Sequence, residues 1–442
     1  MRPPRFESNG AAALVLALSA TRWVSMFPDA LLKTTFVTAP TIRIREVDDG
    51  IELVNEPLGA SCRARSSGAL VIEYFRQPRL LATALEELDV DREIIAVLLS
   101  HAMVVDVDLL FTAPRSPIGR EMTFSAFLAG RPQPADVLFG AASDNAAYGR
   151  AGARRGPTEI RTHWSLALWP GAEPPRPFQT ARPDEDWAII DLDFRRQYLG
   201  PIPQVIDLGD IRPIPGESVD SYGSRIRLVA ALIQARGCRP VMLGGDHSTT
   251  AFVLDALLEI PRPFGVLHFD AHHDLMPLLP RFHFVTHANP FLRALASDSL
   301  VCLFQLGLRG VQPIYRSQLK RDPRIGCRTA RELQHLRPEQ AFEGVSDEIP
   351  YYLTFDIDCL DPTIAPETGT PLAGGLSYYQ AMDLVDYAAR RFDLLGWDIV
   401  EVSQREGKLN HAAIIAGQLA KTLILANANY QPLDSYLEEI AD

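Results

Sequence analysis

The chain has 442 residues, 47% of them hydrophobic and 22% charged, an ordinary globular composition that excludes wholesale disorder. Its 43 Lys and Arg against 55 Asp and Glu leave a net charge of −12, which argues against a nucleic-acid partner and for holding cations. Cys62, Cys238, Cys302, Cys327 and Cys359 are odd in number and unpatterned, so neither a disulfide framework nor a thiolate zinc module is expected. They point to a reducing, cytoplasmic setting. No apolar run reaches the ~18 residues that a membrane span needs.

Residues 1–39 read as a tail or targeting segment. Arg2 and Arg5 precede an apolar stretch at 11–20, but Glu7 and Asn9 spoil the basic start and no small-x-small cleavage site follows; Met26 is an alternative start. Residues 41–47 and 51–55 predict a hairpin around Asp48-Asp49-Gly50. Apolar residues at three- and four-residue spacing predict helices at 67–76, 78–88 and 91–104, the last capped by Asp91, and 104–110 reads as a closing strand. Together these predict a small winged-helix-like α+β module over 40–131, or else an irregular helical extension. The Pro-containing stretch 129–135 marks its end.

From 132 to 442 the pattern changes. Short β-rich runs at 137–139, 187–192, 205–207, 241–243, 265–269, 301–305, 351–355 and 394–400 alternate with helical segments such as 219–235, 249–258, 377–390 and 411–426. Such alternation predicts an α/β domain of three layers, a central parallel sheet covered on both faces, with its chemistry at the carboxyl ends of the strands.

Six of the ten histidines lie between 247 and 287. Three blocks follow apolar strands: Gly244-Gly245-Asp246-His247-Ser248, Asp270-Ala271-His272-His273-Asp274, and Asp356-Ile357-Asp358 running on to Asp361-Pro362. Positions i and i+2 of an extended chain share a side, so Asp270, His272 and Asp274 converge, as do Asp356 and Asp358. Four carboxylates and two imidazoles are too many ligands for one ion. Oxygen-rich donors without thiolate suit a hard divalent ion, Mn²⁺ before Zn²⁺, and two ions sharing carboxylates and a water would make a hydrolytic centre.

These three blocks resemble the signature blocks of the ureohydrolase family, which includes arginase and agmatinase. The resemblance spans about residues 136–430 and is supported by Gly156-Pro157-Thr158-Glu159-Ile160-Arg161, Asp207-Leu208-Gly209-Asp210, and Gly369-Thr370-Pro371 leading to Gly374-Gly375-Leu376. It implies the three-layer arginase-like fold and two Mn²⁺ ions per chain, one on His247, Asp270, Asp274 and Asp356, the other on His272, Asp270, Asp356 and Asp358. It further implies that Asp274 orients the attacking hydroxide, Glu401 pairs with the substrate guanidinium through forked hydrogen bonds, and His287 transfers a proton. Urea and an amine are the implied products.

Other residues read as structural: Asp246 and Asp361 as turn formers, His268 as a core residue on its strand, His273 as facing away from His272, and His283 as a solvated loop residue. His101, His163, His335 and His411 carry no signal. Val402-Ser403-Gln404 stands where relatives more often have Asn-Pro after the glutamate, and Ala288-Asn289-Pro290 replaces Gly-Thr-Pro. The Ser-Gly-Asn loop that holds free arginine in arginase is absent. A small guanidino substrate of the agmatine type is therefore expected. The alternatives are peptidyl arginine, suggested by a module similar in pattern to recognition domains of peptide-modifying enzymes, and formimidoylglutamate. A single-zinc deacetylase and an inactive binding protein are rival classes that the complete ligand set disfavours. A homo-oligomer is compatible with all of these.

Overall fold

The computed structural model describes residues 33–433 apart from 40–41, 48–49, 56–59, 65, 91, 114–117, 131–134, 165–188, 199–202, 278–283, 312–321, 405–408 and 427. The tail up to residue 32, the Asp91 cap, most of the boundary stretch and His283 lie outside the described residues. Two compact units result: Met1–Thr112 with Thr123–Arg131 and Arg212–Arg225, and Ala113–Met122 with Pro132–Ile211 and Ile226–Asp442.

In the first unit, the expected hairpin forms between Ile42–Val47 and Gly50–Asn55, and Ala60–Ala64 adds a third antiparallel strand. Helices span Ser66–Tyr74, Leu81–Glu87 and Arg92–Ser100. Three local readings are corrected. Thr35–Thr38 is not tail but a strand, pairing with Arg79–Leu80 and Val104–Asp106. The second helix starts only at Leu81, because Arg79 and Leu80 are spent on that pairing. The closing strand stops at Asp106, whose carboxylate accepts from Asp108 N and caps the 3₁₀ turn Val107–Leu110. Phe36, Leu53, Val71, Phe75, Ile95 and Leu98 form this unit's own core.

The second unit is built on a parallel sheet. Its strands lie in the order Ile325–Thr329, Leu300–Leu308, Phe264–Phe269, Tyr351–Asp356, Leu394–Val400, Arg239–Leu243, Asp136–Gly140 and Val205–Ile211. The central ones, Phe264–Phe269, Tyr351–Asp356 and Leu394–Val400, are buried at every position, which is why they read as unbroken apolar runs. Helix Tyr378–Arg391, opened by a Ser377–Gln380 capping box, and helix His411–Leu425, capped by Asn410, bury Leu384, Val385, Ala388, Leu419 and Leu423 in one core with Leu353, Phe355 and Trp397. The run at 187–192 does not join this sheet. Within the described residues, Ile189–Asp191 turns straight back into Arg196–Tyr198 and pairs antiparallel, and Tyr430–Pro432 completes that small sheet. A direct return of this length has no room for the crossover that parallel pairing requires.

Strand order decides where the chemistry meets. Phe264–Phe269, Tyr351–Asp356, Leu394–Val400 and Arg239–Leu243 are consecutive neighbours, although Leu243 and Leu394 of two paired strands stand 151 positions apart in the chain; from Phe264–Phe269 the chain runs outward through Leu300–Leu308 to Ile325–Thr329 and only then turns back to Tyr351–Asp356 on the other flank. A crevice at such a switch point, beyond the carboxyl ends, is where open α/β sheets bind ligands.

Candidate metal centre and its surroundings

His247 is carried by the turn after Arg239–Leu243. A side chain on Gly245 would run into the Ser143 and Ala141 carbonyls, so only glycine lets this turn close. Asp246, expected as a turn former, accepts from Ser248 N at 3.0 Å and Ala146 N at 3.0 Å; burial, then the nearby Glu401 charge, push it up to about 6. His247 itself is fully buried. Its Nε2 faces Thr354 Oγ1 at 2.9 Å, and its Nδ1 looks onto Asp274 Oδ2 at 2.9 Å, Asp270 Oδ2 at 3.2 Å and Asp356 Oδ2 at 3.4 Å. That Nδ1 has no hydrogen-bond partner.

On the other side of Asp270, His272 Nδ1 lies 3.3 Å from Asp270 Oδ1 and 3.1 Å from Asp358 Oδ2. Asp358 is aimed by its own backbone N–H donating to Asp356 Oδ1 at 2.8 Å, and its carboxylate accepts from Ala271 N at 3.2 Å and Thr370 Oγ1 at 3.0 Å. All six expected ligands thus gather around Asp270, whose two oxygens face the two histidines. Donor atoms of His247, His268, Asp270 and Asp274 form one group and those of Asp270, His272 and Asp358 a second, while Asp356 reaches the cluster through its 3.4 Å approach to His247 Nδ1 and is in neither group.

The electrostatics call for cations. Burial, then Asp358 and Asp270, hold Asp356 well above the usual carboxylate range, and burial followed by Asp270 raises Asp358. Burial works against a charged His272, but hydrogen bonds to Asp270 and Asp358 push it up to about 12. Divalent ions would relieve the mutual repulsion of these carboxylates and displace protons from the ligand set. An orphaned imidazole nitrogen amid three carboxylate oxygens, with no cysteine in either donor group among the described residues, fits the donor chemistry of a two-ion oxygen/nitrogen site.

Beyond the ligands, Glu401 follows Leu394–Val400 and is 2% exposed. Its Oε1 accepts from the backbone N–H of His247 at 3.0 Å and lies 3.4 Å from His287 Nδ1. Asp274 and Glu401 both hold left-handed backbone (φ 48° and 63°), a conformation that non-glycine residues adopt at a cost and that clusters at working sites. His287 Nε2 accepts from Tyr148 N at 3.0 Å while the Tyr148 ring meets the imidazole edge-on, centroids 5.1 Å apart. The Asn289 of the departing Ala-Asn-Pro segment accepts from Thr286 N at 2.8 Å and so shapes the loop presenting His287.

Asp361 behaves as a loop former: hydrogen bonds from Thr363, then those from Gly374 N and Gly375 N, bring it down to about 2. His273 is buried, with Nδ1 accepting from Leu275 N at 2.9 Å, and stands outside the ligand set. His268 is the buried, satisfied strand residue expected, and one of its partners is the ligand candidate itself: its Nε2 is 2.8 Å from Asp270 Oδ2. The i, i+2 spacing of His268 and Asp270 along an extended strand was the available signal. Thr354, Gln305 and Tyr148, which touch His247, His268 and His287 respectively, gave none.

The family model for the arginase family matches residues 135–426. An agmatinase from Sodalis glossinidius is 31% identical over 65% of this chain and 85% of its own length, and a guanidinopropionase from Pseudomonas aeruginosa is 35% identical over 60% and 78%. Among solved structures, a hypothetical agmatinase from Burkholderia thailandensis aligns with a TM-score of 0.53 and 29% identity over 67% of this chain and 87% of that one. With the match covering most of the chain and the ligand blocks standing at neighbouring strand ends, the chain belongs to the arginase family and is a hydrolase acting on amidino C–N bonds.

Proposed function

We propose that the chain is a manganese-dependent amidinohydrolase that releases urea from a small guanidino compound of the agmatine or guanidino-acid type, and that it works in the cytoplasm. His247, Asp270, Asp274 and Asp356 would hold one Mn²⁺, and His272, Asp270, Asp356 and Asp358 the other. When bound, the ions supply a water of lowered pKa. The remaining work falls to the chain's own side chains. Glu401 offers a buried carboxylate to the planar guanidinium, and Asp274 accepts a hydrogen bond that aims the water at the guanidinium carbon. His287 holds a proton at Nδ1, because its Nε2 is committed to the Tyr148 N–H, and passes that proton to the departing amine nitrogen. The C–N bond breaks with its electrons leaving on that nitrogen, and the guanidinium carbon departs as urea.

The observation that carries this reading is the direct bond between Glu401 Oε1 and the peptide N–H of His247, which ties a buried guanidinium-binding carboxylate to the ligand cluster. The relatives named above, an agmatinase and a guanidinopropionase, support the small-substrate choice. A second reading, hydrolysis of peptidyl arginine to peptidyl ornithine, draws on the separate first unit, whose core lies outside the family match. Urea release from agmatine, guanidinobutyrate, arginine and an arginine-containing peptide by the Mn²⁺-loaded full chain tests both. Highest kcat/KM on a small guanidine is expected; preference for the peptide selects the second reading, and no urea from any of the four overturns both.

A further inference from the structure

We propose that His268 and Gln305 are positioning residues that lock Asp270 as the carboxylate shared between the two ligand groups, and that His268 is not itself a ligand; the proposal rests on the two-ion reading above. The alternative is real on distance alone, because a donor atom of His268 lies close to those of His247, Asp270 and Asp274. Hydrogen-bond bookkeeping decides between them.

His268 and Gln305 face each other in register on the adjacent strands Phe264–Phe269 and Leu300–Leu308, and both are buried. Gln305 Nε2 lies 2.7 Å from the His273 carbonyl oxygen and 2.9 Å from His268 Nδ1. A carbonyl oxygen only accepts, so the Gln305 atom there must be the NH₂ nitrogen. The same NH₂ then donates its second hydrogen to His268 Nδ1, which must accept. A neutral imidazole accepting at Nδ1 carries its hydrogen on Nε2, and that N–H points at Asp270 Oδ2, 2.8 Å away. A nitrogen bearing hydrogen has no lone pair for an ion. His268 therefore donates to the carboxylate and stays out of the ligand set.

The ring has nowhere else to go. It stands 4.5 Å from the Phe291 ring centroid and 5.1 Å from that of His247. Gln305 also reaches the ligand loop, since the His273 carbonyl it holds lies between His272 and Asp274. One amide thus sets the histidine tautomer and pins the loop that delivers two ligands. Partners of this kind, one bond behind the ligands, commonly carry a 10–100-fold share of metal affinity.

The test is Mn²⁺ titration of the metal-free full chain, read by electron paramagnetic resonance for affinity and stoichiometry, with thermal unfolding of the metal-free protein alongside. For His268→Leu, two ions per chain at saturation and about 10–100-fold weaker binding are expected. His268→Gln restores an N–H near the Nε2 position and should recover most of the loss. Gln305→Met keeps volume while removing both donors; it should weaken binding in the same way, and it carries the test if His268→Leu fails to fold. Wild-type affinity in both His268→Leu and Gln305→Met would overturn the positioning role. Loss of one ion at saturation in His268→Leu, unrescued by Gln, would make His268 a ligand and overturn the proposal. A wild-type chain that binds no ion removes the two-ion reading itself, a result distinct from both.

Discussion

Replacing Glu401 with Gln removes one charge and almost no volume. In the structure the carboxylate is 2% exposed, accepts from the His247 N–H at 3.0 Å and has His287 as its ion-pair partner among the described residues. The amide oxygen of Gln can keep the bond from His247 N, so the turn that carries this ligand should hold and two ions should still bind. What is lost is the charged half of a desolvated guanidinium–carboxylate pair, for which truncation costs ~2–5 kcal/mol. At about 1.4 kcal/mol per tenfold, kcat/KM should fall between about 30-fold and several thousand-fold. An exposed pair would give far less, ~0–1 kcal/mol, so the magnitude itself reports burial. The assay is steady-state urea release on the best small guanidine, paired with elemental analysis of the same preparation. Near-wild-type kinetics with two ions bound would show that another group receives the guanidinium, and the reading of Glu401 would fall.

Asp270→Ala removes the carboxylate that faces both histidines, so elemental analysis should find most of the metal gone and urea assays almost no turnover; two ions per chain would end the sharing assignment. Metal removal should leave a pH-dependent chain. Asp356, Asp358, His247 and His272 all sit above their ordinary pKa when folded, so each stabilises at low pH and that contribution is lost as pH rises through its folded value. The gap in melting temperature between Mn²⁺-loaded and metal-free protein should therefore widen between about pH 5 and pH 8, and a constant gap would contradict it. Away from the site, Arg161 grips Asp207 through two bonds of 2.9 Å with both side chains buried, so Arg161→Met should cost ~3–5 kcal/mol in urea unfolding by stranding the carboxylate.

The local grammar of the second unit can be read along the chain. Strands buried on both faces must be written as apolar runs, and polar residues gathered after such a run mark the strand's carboxyl end; Asp270 and Asp356 were legible for that reason, and His247 through the Gly244-Gly245-Asp246 turn after its strand, whereas Glu401 was legible only through the family resemblance. The i, i+2 rule also named the pairs Asp356 with Asp358 and Asp270 with His272, but not for its own reason: Asp358 sits in the 3₁₀ turn Ile357–Cys359 capped by Asp356, and the chain bends at residues 271–272. Tertiary structure alone decided which ends are neighbours, because strand order rests on contacts far apart in the chain. It also decided every partner whose residue type carries no signal: Gln305 across from His268, the Tyr148 N–H on His287, and the Thr354 hydroxyl behind His247. The first unit shows the same division. Its hairpin was legible from a turn with alternating flanks, whereas Thr35–Thr38 and Arg79–Leu80 are too short to announce themselves and become strands because Thr35–Thr38 pairs with Arg79–Leu80 on one side and Val104–Asp106 on the other. Hydrogen bonds within a turn or helix are written in adjacent residues; those between distant segments exist only once packing has brought them together.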